Sequence, residues 1–199
     1  PAGVFNLVHG DGIGVGVPGF VDYARGFVHN LTNVPGWSAV PLAEMLTQRF
    51  GKTARVDNDV NAMAVGECTY GAGQAYQHAV FITLGTGVGG GLLINKALYR
   101  GAYSLAGEIG HVSIDRNGIV SPTGRGGVEQ YVGNKRIVER ALQALDAGRT
   151  SRILEFAGGR REDITPKVIS AAAAAGDELA GEIFDFVADC LATMMASVA

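Results

Sequence analysis

The sequence predicts an α/β protein whose strands are mostly buried. Short apolar, β-branched runs alternate along the chain with longer segments in which apolar residues recur at helical spacing. The 30 glycines in 199 residues follow no period and gather where these runs end, which is typical of tight turns. Hydrophobic residues form 47% of the chain, enough to fill a sizeable core.

The first part of the chain, residues 1–74, is expected to form part of one lobe. Its predicted elements are a glycine-rich strand over 12–17, a helix over 42–50, a buried strand over 54–56 and a helix over 60–70. Pro18-Gly19 is expected to turn the chain after the first strand, and a loop is expected to follow with Asn30, Asn33, Pro35, Gly36 and Trp37. Gly51 is the expected stop of that helix.

A break near residues 73–77 separates part of a second lobe, residues 75–199. Its predicted strands cover 79–84, 91–94 and 112–114, and its predicted helices cover 132–145, 166–175 and 178 to the end. Asn95-Lys96 follows the second of these strands and suits a hairpin turn.

Composition and charge argue against several classes of protein. A net charge of −3 gives no indication of nucleic acid or an anionic membrane as the main partner. The two cysteines form no disulfide framework, which fits the reducing cytoplasm. The sequence contains no apolar run of 18 residues, as a membrane span would need, and no visible signal peptide. The chain starts without a methionine and stops within a helical pattern, so we interpret it as a segment of a longer protein.

The most informative stretch is the glycine-rich run at 83–91, which lies between two apolar runs. Glycines at the end of a strand let backbone N–H groups converge without obstruction by Cβ atoms, which makes a nest for a phosphate. An ordinary glycine-rich hairpin explains the run equally well when it is considered alone.

Three further segments carry polar side chains that could serve chemistry. Asp59, beside Asn58, lies where a buried strand meets a helix, and is either the cap of that helix or a general base facing a cleft. Glu108 and His111 either point into one pocket or form an exposed pair in a loop. Glu129 follows a glycine turn at the head of a helix, where it either caps the helix or binds a ligand.

These segments offer hydrogen-bond donors and acceptors without a pair of nucleophile and base. The sequence has no serine elbow and no reactive cysteine context. A phosphate nest, a pocket suited to a polyol and one carboxylate together indicate phosphoryl transfer to a sugar hydroxyl.

Four motifs occur in a recognisable order: Val-Gly-Val-Pro-Gly at 15–19, Asn-Asp-Val-Asn-Ala at 58–62, Leu-Gly-Thr-Gly-Val-Gly-Gly-Gly at 84–91 and Ala-Gly-Glu-Ile-Gly-His at 106–111. In order and spacing they resemble the ROK family, which groups bacterial sugar kinases with sugar-responsive repressors. The resemblance implies an actin-like, hexokinase-like (ribonuclease H-like) fold of two α/β lobes with a cleft between them. The chain would cover part of that fold.

The resemblance also implies a role for each matching residue. Asp59 would be the catalytic base, accepting the proton as a sugar hydroxyl attacks the γ-phosphate of ATP in line, with Mg²⁺ and the phosphate nest stabilising the charge. The implied sugar-binding residues are Gly19, Asn58, Asp59, Glu108, His111 and Glu129. The implied phosphate-binding residues are Gly85, Thr86, Gly87 and Gly89. The expected acceptor is a hexose, glucose or a close relative.

One departure from the family concerns zinc. Many members carry a zinc site of the form C-x-C-G-x-x-G-C, completed by the histidine of the G-E-x-G-H motif. Here Ser121 and Thr123 stand where thiolates would be, and His111 alone remains of the four ligands that a structural zinc needs. The chain is therefore expected to bind no zinc. The stretch is also one residue shorter than the family pattern, between Gly127 and Val128.

A second departure concerns completeness. The family's N-terminal phosphate loop and its C-terminal glycine motif are not present in the 199 residues, so this segment alone is not expected to be a competent kinase. For the whole protein, an ATP-dependent hexose kinase is the leading interpretation. The alternative is a repressor that binds sugar without phosphorylating it, with a helix-turn-helix upstream; only then would nucleic acid be a partner. Retention of Asp59 modestly favours the kinase.

Other properties follow from the resemblance or stay open. Polyphosphate could replace or accompany ATP, and Arg100 and Arg125 are either part of a basic groove or exposed on solvated turns. Tyr103 and Ser104 either tune sugar specificity or pack against the lobe. The family implies a homodimer in the cytoplasm, with no membrane partner.

Overall fold

The computed structural model describes residues 11–31 and 34–198 and contains the predicted alternation of strands and helices. The strands are β1 (Gly12–Val17), β2 (Gly19–Asp22), β3 (Phe27–Leu31), β4 (Ser38–Val40), β5 (Thr53–Asn58), β6 (Ala79–Leu84), β7 (Val88–Ile94), β8 (Ala97–Tyr99), β9 (Val120–Ser121) and β10 (Gly124–Arg125). The helices are α1 (Leu42–Phe50), α2 (Asp59–Tyr70), α3 (Glu129–Val132), α4 (Asn134–Asp146), α5 (Ile153–Phe156), α6 (Pro166–Ala174) and α7 (Glu178–Val198).

The described chain divides into two compact units. Unit 1 holds residues up to 82 together with 90–108, and unit 2 holds residues 83–89 together with those from 109 onward. The chain therefore passes from one unit to the other three times, and β6 and β7 each contribute to both units.

Unit 1 is organised around the parallel pair β1 and β5, in which Val15 lies opposite Val56. The core beside this pair consists of Val17, Val21, Val28, Leu42 and Val56. Helix α1 follows the predicted range and ends where Gly51 adopts a left-handed conformation, with a φ of 64°, which confirms the predicted stop.

Pro35, Gly36 and Trp37 of the predicted loop lie between β3 and β4, whereas Asn30 belongs to β3 and Asn33 lies outside the described residues. The antiparallel sheet around this loop was not predicted. Strands β2, β3 and β4 pair in chain order, and Val21 and Val28 face the core. Helical or strand periodicity is hard to detect here because the strands have only three to five residues and β3 carries the exposed residues His29 and Asn30. A turn stabilised by a hydrogen bond from the Arg25 N–H to Asp22 Oδ1 joins β2 to β3.

Strands β6, β7 and β8 form another sheet in that order. Asn95 and Lys96 join β7 to β8 with φ angles of 53° and 61°. Positive φ at both central residues is the signature of a type I′ hairpin, which confirms the turn predicted at this dipeptide.

Unit 2 packs the helices α4 to α7 around the buried side chains of Ile137, Ile153, Ile169, Ile183 and Met194. The single helix predicted over 132–145 is interrupted at Gly133, whose ψ of 149° is extended.

The strand predicted over 112–114 was wrong, because only Ser113 makes a strand-like bridge, to Gly127. Its partner segment turns sharply at Gly126, with a φ of 73°, so the ladder cannot continue. None of the helices in the described ranges is long and apolar enough to cross a membrane.

Asp177 is a buried acidic residue that connects two segments in the helical part of unit 2 through hydrogen bonds. Its buried carboxylate accepts hydrogen bonds from Ser151 Oγ at 3.0 Å and from the backbone N–H groups of Arg152 at 2.6 Å and Ala180 at 2.8 Å. Burial alone would raise the pKa of Asp177, but these hydrogen bonds outweigh it and hold the pKa below its ordinary value. The ionised carboxylate therefore stabilises the folded state.

We expect Asp177→Ala to lower the free energy of unfolding by about 2–4 kcal/mol, since it removes a helix cap and leaves buried donors unpaired. Because the pKa is depressed on folding, this contribution is present above the unfolded pKa of about 3.9 and is lost as the pH falls through the folded value. Urea titrations between neutral and acidic pH measure it. Asp185→Ala, at an exposed position on α7, is the control, and equal effects of the two substitutions would contradict the assignment.

Candidate functional site

The junction between β5 and α2 shows which residue caps the helix. Asn58, and not Asp59, is the N-cap of α2: its Oδ1 accepts from the N–H groups of Val60 at 2.9 Å and Asn61 at 3.2 Å. Asp59 is the first helical residue and is exposed, and its Oδ1 accepts from the Val60 N–H at 2.9 Å. The cap is thus supplied by its neighbour, which leaves Asp59 as a solvent-accessible carboxylate at the carboxyl end of a parallel strand.

Gly19 lies beside this junction. The Asn58 side-chain amide donates to the Gly19 carbonyl oxygen at 3.3 Å. A Cβ atom at position 19 would lie 2.2 Å from the backbone oxygen of Asn30, so no larger residue fits between β2 and β3 at this position. Unit 1 therefore brings together three of the predicted sugar-binding residues: Gly19, Asn58 and Asp59.

The structure adds a network that the sequence did not indicate. Asp57 Oδ2 accepts from Arg100 Nη2 at 2.6 Å and Nε at 3.1 Å, while its Oδ1 accepts from Asn61 Nδ2 at 3.2 Å. The guanidinium carbon of Arg100 lies 3.7 Å from the centre of the Tyr23 ring. The alternative that Arg100 is exposed on a solvated turn was therefore wrong, because Arg100 is paired and stacked within unit 1 and Asp57 is only 8% exposed. The available signal was Asp57 directly after the buried residue Val56, since a buried charge needs a partner.

A cavity of about 740 Å³ opens beside Arg100 in unit 1. The segment 101–105 lines one side of it and β2 with the following turn lines another. Tyr103 is 86% exposed, which excludes the alternative that it packs against the lobe. Ser104 also lines the cavity and has a positive φ of 58°, an uncommon conformation for a non-glycine residue.

In unit 2 the glycine-rich run forms a tight loop between β6 and β7. The Gly85 N–H donates to the Gly87 carbonyl oxygen at 2.9 Å, and the Gly85 carbonyl accepts from the Asn134 N–H at 2.9 Å. The start of α4 thereby fixes the loop. Thr86 is exposed at its tip, whereas Gly89 lies within β7.

Glu129 is attached to the same loop. Its Oε2 accepts from the Val88 N–H at 3.0 Å, and the N-terminus of its own helix has no side-chain cap. The interpretation of Glu129 as a helix cap was therefore wrong. A Cβ atom on Gly87 would lie 2.1 Å from Glu129 Oε2, so glycine at 87 makes room for this carboxylate.

Glu108 belongs to unit 1, and His111 belongs to unit 2. Glu108 is half-buried at the end of unit 1, and His111 ends a 3-10 turn, Ile109–His111, in unit 2. The glycines around Glu108 serve packing: a Cβ atom on Gly107 would lie 2.6 Å from the Gly90 oxygen, and one on Gly110 would lie 2.2 Å from the Val88 oxygen. Close contact with β7 accounts for glycine at both positions.

At the positions where the family resemblance places zinc-binding thiolates, this chain carries hydroxyl groups. Thr123 Oγ1 lies 3.1 Å from His111 Nδ1 and 3.1 Å from Ser121 Oγ. Within the described residues no group of three or more His, Cys, Asp or Glu side chains could hold a metal ion. A hydroxyl pair beside one imidazole does not fit the thiolate-rich tetrahedral site of a structural zinc.

Comparison with known proteins agrees with the motifs. The ROK family model matches residues 6–199. A glucokinase of Thermotoga maritima is 35% identical over 184 residues, which is 92% of this chain and 58% of the relative. The chain thus spans somewhat more than half of the length of this curated relative.

Two solved structures show the same fold. A ROK family glucokinase from Streptomyces griseus in complex with glucose and AMPPNP is matched with a TM-score of 0.83 and 35% identity, over 95% of this chain and 61% of that one. A ROK family transcriptional regulator, a homologue of the E. coli MLC protein, is matched with a TM-score of 0.86 and 26% identity, over 94% of this chain and 46% of that one. The α/β, actin-like hexokinase fold is confirmed over the part of it that this chain covers, and the chain belongs to the ROK family.

Proposed function

We propose that the protein containing this chain is a cytoplasmic ATP-dependent kinase that phosphorylates a hydroxyl of a hexose, glucose or a close relative. The observation that carries the proposal is the exposed carboxylate of Asp59. Because Asn58 caps α2, this carboxylate is not needed as the helix cap. Support comes from the glucokinase relatives near 35% identity, one of which was solved with glucose and an ATP analogue.

In the proposed reaction, Asp59 accepts the proton of the attacking sugar hydroxyl, so that the oxygen becomes a better nucleophile as the bond to phosphorus forms. Asn58 and Gly19, already joined by a hydrogen bond, orient the sugar in unit 1. In unit 2 the N–H groups of the 85–87 loop contact the phosphates, and Glu129 contacts the sugar. Magnesium, when bound with ATP, neutralises charge on the phosphates.

The second candidate is a sugar-responsive repressor. Its support is the match to a ROK transcriptional regulator, whose TM-score of 0.86 is as high as that of the kinase. The retained carboxylate of Asp59 favours the kinase, because sugar binding alone does not require a base that can take up a proton.

Release of ADP by the full-length protein tests the proposal. The assay compares glucose, mannose, fructose, N-acetylglucosamine and N-acetylmannosamine with Mg²⁺ and ATP, and repeats the best acceptor with polyphosphate as donor. Turnover with one sugar supports the kinase and identifies its acceptor. Sugar binding without turnover contradicts the kinase and favours the repressor. Light scattering on the same sample tests the homodimer that the family resemblance implies.

We also expect the purified full-length protein to contain no stoichiometric zinc, because hydroxyls occupy the positions of the thiolates. Elemental analysis after dialysis measures this. Incubation with a chelator is expected to leave the unfolding temperature unchanged, since a structural zinc would contribute directly to the free energy of folding. One zinc per chain would contradict the prediction.

A further inference from the structure

The Asp57 carboxylate connects the segment around Asp59 to a distant part of unit 1. Its Oδ1 accepts from the Asn58 N–H at 2.9 Å and from Asn61 Nδ2 at 3.2 Å. Its Oδ2 accepts from Arg100 Nη2 at 2.6 Å and from Arg100 Nε at 3.1 Å. Because Asn58 precedes Asp59 and Asn61 follows it within the first turn of α2, Oδ1 ties together the two ends of the short segment that contains Asp59.

Arg100 fixes the orientation of this carboxylate. Both of its donating nitrogens contact the same oxygen, Oδ2, which leaves Oδ1 of Asp57 to the segment around Asp59. The guanidinium is itself held in place, because its carbon lies 3.7 Å from the centre of the Tyr23 ring. The side chains of Arg100 and Asp57 are 21% and 11% exposed, so salt and water screen this pair weakly. Without Arg100, the carboxylate is free to rotate and to release the segment around Asp59.

Asn58 and Asp59 depend on this network to different degrees. The Asn58 side chain has contacts of its own, since its Oδ1 accepts from N–H groups in the first turn of α2 and its Nδ2 donates to the Gly19 carbonyl. The Asp59 carboxylate accepts from the N–H of the next residue, a contact that moves together with the start of α2. Loss of Arg100 is therefore expected to displace the Asp59 carboxylate more than the Asn58 amide.

We propose that Arg100 is a positioning residue for phosphoryl transfer: through Asp57, it holds the Asp59 carboxylate where it accepts the proton of the attacking hydroxyl. This inference rests on the proposed function, since it assigns Arg100 a role in that reaction. A general base must lie within hydrogen-bond reach of the proton that it takes up, and a displacement of about 1 Å costs about 100-fold in rate.

Steady-state kinetics of Arg100→Gln in the full-length protein test the role, with the best acceptor sugar, Mg²⁺ and ATP. We expect kcat to fall about 10–100-fold, while the Kd for sugar without nucleotide stays within about threefold of the wild type. Arg55→Gln is the matched control, because Arg55 is exposed on β5, two residues before Asp57, and its loss removes the same charge. The control is expected to leave both quantities near those of the wild type.

A double-mutant cycle separates action through Asp59 from a general loosening of unit 1. In Asp59→Asn the base is already absent, so adding Arg100→Gln should lower the remaining kcat by less than about threefold. A further loss as large as that in the wild-type background would overturn the inference, because Arg100 would then act independently of the base.

Stability is measured on every variant by urea titration, since removing one member of a buried ion pair destabilises a protein. If Arg100→Gln does not fold, Arg100→Lys decides the question. Lysine keeps the charge but offers one nitrogen and no planar group to stack on Tyr23, so we expect a fall in kcat of about 3–10-fold that also disappears in the Asp59→Asn background. An unchanged kcat in that variant would then overturn the inference.

The kinetics also distinguish failure of this role from failure of the proposed function. If the wild type turns over a sugar and Arg100→Gln does so at the same rate, the kinase stands and the role of Arg100 is overturned. An equal loss in Arg55→Gln overturns it as well. If the wild type turns over none of the sugars, the proposed function fails and the role of Arg100 fails with it.

Discussion

Replacing Asp59 by Asn is expected to lower sugar-dependent ADP release by about 10²–10⁴-fold, the usual contribution of a general base. The amide keeps nearly the size of the carboxylate and its ability to accept a hydrogen bond, but it cannot take up the proton of the attacking hydroxyl. Sugar affinity is expected to stay within a few-fold of the wild type. Coupled ADP assays and calorimetric sugar titration measure the two quantities on one preparation.

The capping geometry provides the control for this prediction. Because Asn58 caps α2, Asp59→Asn should change the free energy of unfolding by less than about 1 kcal/mol, through the helix dipole alone. Asn58→Ala removes the cap and is expected to cost about 1 kcal/mol or more. If Asp59→Asn retains near-normal turnover, Asp59 is not the base. If it unfolds the protein as readily as Asn58→Ala, the assignment of the cap is wrong.

The sequence correctly predicted those helices and turns that are determined by residues close together in the chain. Helix α1 was found from its apolar spacing and from Gly51, and the turn at Asn95-Lys96 was found from its residue types. The sheet of β2 to β4 was missed because its short strands, with exposed polar residues in β3, lack a sufficient run of alternation. Pairing with neighbouring strands, which sequence spacing does not show, stabilises them.

In the candidate site, too, features set by nearby residues were predicted, and contacts between residues distant in sequence were not. The four motifs located Asn58, Asp59 and the glycine-rich loop, but not the groups that contact them. Arg100 is 43 residues from Asp57, and Glu129 is 41 residues from Val88, so no local rule links either pair. The alternative that Glu129 caps a helix failed for this reason, because its carboxylate accepts a hydrogen bond from a strand that is distant in sequence.

Gly87→Ala is expected to lower sugar affinity strongly, because it displaces the Glu129 carboxylate. The new Cβ atom would lie 2.1 Å from Oε2 and 2.9 Å from Cδ of Glu129, so the carboxylate must swing away. The buried Val88 N–H then loses its charged acceptor. Since hydrogen bonds to charged groups contribute about 1.5–3 kcal/mol, we expect sugar affinity to fall about 10–100-fold, with turnover falling as the loop loosens.

Gly85→Ala is the matched control for sugar affinity, because a Cβ atom there meets nothing within 4 Å and the loop contacts of Glu129 are preserved. A double-mutant cycle locates the cause. If Gly87→Ala acts by displacing the carboxylate, it should add little to the loss in Glu129→Ala, where the obstructed group is already gone. Independent, additive losses would contradict this mechanism. In the proposed function, the Glu129 carboxylate both contacts the glycine-rich loop and binds sugar, so the geometry of the loop depends on the sugar site. The cycle therefore also measures how strongly the loop and the sugar site are coupled.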